Sequence, residues 1–189
     1  MIVLGVDPGL ARTGVAVVEG APGSLRLRHA SLIETPAGSS DPDRLGQLLG
    51  ALELLIARER PQAAAVERLF FSTNRRTAMR VGEARGVILC GLARAGLGVA
   101  EYTPLQVKEA VAGWGGAPKA QVIRMVRTLL GGAAVEGPDD VADACAIAVC
   151  HHHRVRLAAT APVPAVSASS RMSPRLAEAV ARARGGPRP

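Results

Sequence analysis

Apolar and polar positions divide the chain into short strands first and longer helices later. Ile2, Val3, Leu4 and Val6 form a continuous apolar run, the pattern of a strand buried on both faces, and it stops at Asp7-Pro8-Gly9, where the chain must turn. Gly14 to Val18 predicts a second strand, Glu19 to Gly23 a turn, and Leu25 to Glu34 a third strand in which Leu25 and Leu27 alternate with Arg26 and Arg28. Turns this short imply an antiparallel meander. Asp41 is expected to cap a helix with Pro42 at its first position, and Leu45, Leu48, Leu49, Leu52, Leu55 and Ile56 recur at helical spacing. That helix should cross to a strand at Ala63 to Val66, parallel to the first.

A long helix is predicted from Asn74 to Ala95, with Ala78, Val81, Val87, Ile88 and Leu92 on more than one side and Arg76 and Arg80 one turn apart. Gly98 to Tyr102 reads as a fifth strand and Thr103-Pro104 as the start of a short helix. Gly113 to Pro118 is a turn, and Lys119 opens a helix through Val122, Val126 and Leu129 to Gly131. The last helix starts at Gly137-Pro138-Asp139-Asp140 and runs apolar to His151-His152-His153, taken as a solvated helix end. The class is α/β: a mixed five-stranded sheet, antiparallel meander plus parallel strands, flanked by helices.

With 189 residues, 48% of them hydrophobic, the chain has room for one core of ordinary size. One domain is expected over residues 1–157, followed by a basic, flexible tail over 158–189 in which Thr160 to Ser170 is a low-complexity linker and Ser173 to Arg184 a short basic helix. Cys90, Cys145 and Cys150 are odd in number and sit in apolar helical surroundings, which suggests buried reduced thiols and a cytoplasmic protein. No signal-peptide pattern or membrane-length apolar run is present. Of the net charge of +7, the tail carries +4, from five arginines against Glu178, so bulk charge says little about the domain itself.

The acids say more. Two apolar strands each end by delivering one carboxylate, Asp7 and Glu67, and if the strands are parallel neighbours both emerge at the same sheet edge, where open α/β sheets hold their ligands. Asp7 alone fits either a metal ligand or a cap of its own turn, with Arg12 the only local cation; Glu67 alone fits a salt bridge to Arg68. Asp140 and Asp143 share one helix face about a turn apart, as a metal site or as charges favoured by the helix dipole, with Asp139 the competitor of Asp140. His151 lies on the Asp140 stripe but about 16 Å along the axis, too far to share an ion with it. Oxygen-only ligands point to Mg²⁺, with Mn²⁺ able to substitute, and two such ions suit phosphodiester hydrolysis.

Both phenylalanines, Phe70 and Phe71, fall in a basic stretch that continues to Arg75 and Arg76, as a base-stacking pair or as a loop anchor. Lys108 and Lys119 are the only lysines beside 21 arginines, and they suit phosphate contacts unless their retention is chance. Trp114 is expected to serve packing or a hinge, with stacking as the alternative.

Together, Gly-Val-Asp7-Pro-Gly, Val-Glu67-Arg-Leu-Phe70, Gly82-Glu-Ala-Arg-Gly86, Lys119-Ala-Gln-Val and Asp140-Val-Ala-Asp143-Ala resemble the RuvC-type Holliday junction resolvases over residues 1–157. The resemblance implies a ribonuclease-H-like fold and a crossover junction endodeoxyribonuclease. It places the catalytic acids at Asp7, Glu67, Asp140 and Asp143, an intercalating aromatic at Phe70, and basic DNA contacts at Lys108 and Lys119. Some members carry histidine at the position of Asp140. It further implies a homodimer, here expected to use the Asn74 to Ala95 helix, that nicks a four-way junction symmetrically, leaves 5′-phosphate and 3′-hydroxyl ends, and works with RuvA and RuvB. The competing expectations are a related nuclease acting on RNA, an actin-like phosphotransferase, or a noncatalytic DNA scaffold.

Overall fold

In a computed structural model the chain is described over residues 1–68, 75–135 and 137–160, without the side chains of 75–77 and 156–160. Its elements are β1 (Ile2–Asp7), β2 (Arg12–Glu19), β3 (Arg26–Glu34), α1 (Asp41–Glu59), β4 (Ala63–Glu67), α2 (Arg75–Arg94), β5 (Gly98–Tyr102), α3 (Pro104–Ala112), α4 (Lys119–Leu129) and α5 (Asp139–Thr160). The strands form one sheet in the order β3-β2-β1-β4-β5. β1, β2 and β3 pair antiparallel as the meander predicts, and β4 joins parallel to β1, with β5 parallel to β4.

The two-residue period of β1 divides its side chains between two apolar layers. Leu4 and Val6 pack with Leu48 and Leu52 of α1 and Ala84, Ile88 and Leu92 of α2, while Val3 packs with α5 on the opposite face. Gly5 also faces α5, and a Cβ there would come 2.2 Å from the Ala144 carbonyl oxygen. Gly14 on β2 does the same at the helix start, where an added Cβ would lie 1.9 Å from the Asp140 carbonyl oxygen. These two glycines let α5 lie directly against the centre of the sheet.

Several expectations change on folding. Ser40, not Asp41, caps α1: its hydroxyl accepts from the Asp43 amide, and Asp41 becomes the first helical residue. Asp41 instead pairs with Arg44 at 3.6 Å and Arg80 at 3.2 Å, joining α1 to α2. Cys90 is exposed rather than buried, whereas Cys145 and Cys150 are buried, and all three are free thiols. Trp114, expected to pack or hinge, is 53% exposed.

The histidines are not a solvated helix end. α5 is buried all round from Ala144 to Cys150, and the burial continues through His151 and His152, with His153 half-buried. His151 Nδ1 meets the Tyr102 hydroxyl at 2.9 Å, His152 Nε2 the Val18 carbonyl at 3.1 Å, and His153 Nδ1 the Ala110 carbonyl at 2.9 Å, each on a different element. α5 continues to Thr160, three residues into the segment expected as tail. Residues 161–189 lie outside the described residues. Among the described residues no helix is long and apolar enough to cross a membrane.

Candidate active site

β1 and β4 run side by side with Val6 level with Val66, so Asp7 and Glu67 leave the sheet at the same edge. Val6 and Val66 both face α1 and α2, and alternation therefore directs the next residue of each strand toward α5. α5 begins over that edge because Gly14 admits its first turn, which carries Asp140, with Asp143 just beyond it. The turn after Asp7 is held by two threonines: buried Thr13 donates to the Gly9 carbonyl, and Thr35 donates to the Leu10 carbonyl while accepting from Arg44 Nε.

The four carboxylates and Lys119 form one electrostatic unit. Burial, then the charges of Glu67, Asp143 and Asp140, push the Asp7 carboxyl up to about 8, against the pull of Lys119. Burial and Asp143 push Glu67 up to about 7, again opposed by Lys119. Lys119 Nζ donates to Asp143 Oδ2 at 2.7 Å and lies 3.4 Å from Asp139 Oδ2. Burial opposes the Lys119 charge, but these two acids outweigh it and raise its pKa. Arg12 pairs with Asp140 at 3.1 Å rather than with Asp7, and the approach is misaligned, leaving the buried Asp140 Oδ2 without a hydrogen bond.

This chemistry fits a divalent cation: oxygen donors only, two carboxyls raised by burial and then by neighbouring acids, and an Asp140 oxygen that faces Arg12 without a hydrogen bond. Among the described residues no three acid, His or Cys side chains are drawn together at ligand geometry, and Lys119 and Arg12 provide the nearby positive charge. A cavity of about 260 Å³ opens beside the acids, lined by Glu67, Asp143, Lys119, Lys108, Pro104 and Val122 among others. Asp140 is the more enclosed of the two adjacent acids, with its side chain 25% exposed against 70% for Asp139.

Arg80 is engaged with Asp41 of α1 and is not among the groups lining the cavity. Phe70 and Phe71 lie outside the described residues, as do the side chains of Arg75 and Arg76, whose backbone forms the first turn of α2. Sequence reasoning missed Glu101 of β5, which binds Arg85 of α2 and, at 3.7 Å, Arg68, the residue that follows Glu67. Arg68 is also fixed through its amide to the Tyr102 carbonyl at 2.8 Å. Arg85 stands in the Gly82 to Gly86 motif, but nothing in that motif marks its partner.

The family described as "Crossover junction endodeoxyribonuclease RuvC" matches residues 3–151 of this chain. The chain belongs to the RuvC family. The RuvC protein of Chloroflexus aurantiacus is 54% identical over 151 residues, covering 80% of this chain and 92% of the relative, and that of Moorella thermoacetica is 53% identical, covering 80% and 90%. The structure of T. thermophilus RuvC in complex with Holliday junction substrate superposes with a TM-score of 0.80 at 36% identity, covering 86% of this chain and 99% of that one. The mixed sheet flanked by helices is thus the RuvC fold.

Proposed function

We propose that this RuvC-family chain is a structure-selective endonuclease that resolves Holliday junctions in recombination and repair. The observation that carries the reading is the convergence of Asp7, Glu67, Asp140 and Asp143 beside Lys119, an acid cluster whose burial and like charge both favour a bound cation. Asp7, Glu67, Asp140 and Asp143 would hold Mg²⁺, or Mn²⁺ in its place, as two ions. Bound there, the ions would supply activation of water and stabilisation of the leaving oxygen in an in-line displacement at phosphorus.

The chain's own residues do the rest. Asp7 and Glu67 fix the acid site to the rigid sheet edge, and Asp140 and Asp143 close it from the helix side. Lys119, which donates to Asp143 at the cavity wall, would hold its ammonium toward the scissile phosphate, and Lys108 would contact the backbone from the same wall. Phe70 or Phe71 wedges between bases, and Arg75, Arg76 and Arg80 contact the neighbouring phosphates. The active species is a homodimer that nicks two strands symmetrically, leaves 5′-phosphate and 3′-hydroxyl ends, and acts in the cytoplasm with RuvA and RuvB. Residues 1–157 form the nuclease unit and 158–189 add nonspecific DNA affinity.

The test is cleavage of a synthetic four-way junction beside a linear duplex and an RNA–DNA hybrid of the same sequence, with Mg²⁺ or Mn²⁺. Paired nicks in the junction alone support the reading. Preferential cutting of the hybrid would favour the RNA-processing alternative, and equal cutting of all three would remove the structural selectivity.

A further inference from the structure

Trp114 is the only tryptophan of the chain, and it is 53% exposed. It directly follows Gly113, the left-handed C-cap of α3 at φ 86°, and opens the turn to α4. The ring is not loose. It lies over Gly116, where an added Cβ would come 2.2 Å from ring carbon Cζ3, and Leu105, 56% exposed, lies over Gly115, where an added Cβ would come 2.7 Å from its Cγ. Two glycines therefore form a floor beneath two large apolar side chains that remain open to solvent. Leaving an indole and a leucine exposed forgoes burial that a small domain ordinarily uses.

Both helices that meet at this turn also wall the acid cavity, α3 through Pro104 and Lys108 and α4 through Lys119. An aromatic face on the segment that joins two ammonium-bearing helices matches a nucleic-acid strand, with the lysines reaching phosphates and the ring a base. A purely apolar protein partner would have no use for that charge. We propose that Trp114, on the turn between the two lysine-bearing helices, stacks on a base of the bound substrate strand, with Leu105 as a second apolar contact, and so helps set which nucleotide is presented for cleavage. Trp114 belongs to the turn between α3 and α4, a different stretch of the chain from Phe70 and Phe71. The inference rests on the nuclease reading above.

The test uses the full-length Asp7→Asn protein, which should hold a four-way junction uncut, and reads tryptophan emission, acrylamide quenching and affinity by mobility shift in the same samples. Emission reports Trp114 alone. Junction binding is expected to quench it strongly and shield it from acrylamide. Trp114→Ala should weaken junction affinity about tenfold, and Trp114→Phe should stay within about twofold, because stacking needs an aromatic face rather than an indole. A junction that binds while emission and quencher access stay unchanged, or a Trp114→Ala protein that binds like the parent, overturns the inference and leaves the nuclease reading standing. A protein that binds no junction at all overturns both.

Discussion

Replacing Gly14 by alanine adds one methyl group to β2 and should act mainly on a helix. The new Cβ would lie 1.9 Å from the Asp140 carbonyl oxygen and 2.5 Å from its carbonyl carbon, both backbone atoms that cannot rotate away. A carbon–oxygen contact needs about 3.3 Å, so the first turn of α5 must recede by roughly 1.4 Å. Overpacking of this kind costs about 1–3 kcal/mol, less than the roughly 5–15 kcal/mol that holds a domain together, so the protein should still fold. The same displacement carries Asp140 and Asp143 away from Asp7 and Glu67, and an error of about 1 Å in a catalytic group is worth about 10²-fold in rate. Gly46→Ala is the control: it lies within α1, an added Cβ meets nothing within 4 Å, and alanine should gain up to about 1 kcal/mol of helix propensity. Urea unfolding gives the stability change, and single-turnover cleavage of a four-way junction gives the rate. A Gly14→Ala protein with parental midpoint and parental cleavage would refute the claim that the close approach of α5 builds the site.

Three further outcomes follow from the site and its support. Folded Asp7 and Glu67 titrate near 8 and 7 instead of 3.8 and 4.5, so between about pH 4 and 8 the folded chain holds protons that the unfolded chain has released, and metal-free stability should fall as pH rises through that window. Thermal melts should then show Mg²⁺ stabilising most at the alkaline end, by about 2.7 kcal/mol at a hundredfold excess over Kd; Mg²⁺-independent melting there would contradict the metal reading. Lys119→Met removes a partly exposed pair and should cost no more than about 1 kcal/mol in a melt, yet lower junction cleavage by about 10²-fold or more. Parental cleavage by that variant would show Lys119 to be only a counter-charge. His152→Ala leaves a cavity and removes the bond to the Val18 carbonyl, and should cost about 2–4 kcal/mol in urea unfolding while cleavage at low temperature persists; unchanged stability would refute the structural role of that contact.

The sheet and the acid cluster were legible because their signals are local. A strand that ends in a single acid announces both the end and the acid, and two such strands in parallel place Asp7 and Glu67 together by register alone. The helical period put Asp140 and Asp143 on one face. Contacts that depend on how elements approach were not legible: Arg12 meets Asp140 only because α5 arrives over β2, and Glu101 meets Arg85 and Arg68 only because α2, β4 and β5 converge. The histidines misled because polar residues at a helix end usually meet water, but three successive residues point in three directions and here each direction holds an acceptor or a hydroxyl. Gly5 and Gly14 read simply as residues of strands, since a glycine needed for close approach looks like any other. Ser40 and Asp41 are equally good caps by composition, and only the backbone turn at Ser40 decides between them.

If the converged acids form one cation-dependent site for cutting a four-way junction, Asp7→Asn should separate binding from cleavage. Junction affinity and strand cleavage should be measured together, with Mg²⁺, in the parent and the variant. The parent should make paired symmetric nicks, and the variant should bind the junction within about threefold of the parent with cleavage reduced by about 10³-fold or more. A variant that still cuts at the parental rate would show that Asp7 and the acid cluster around it are not where the reaction occurs.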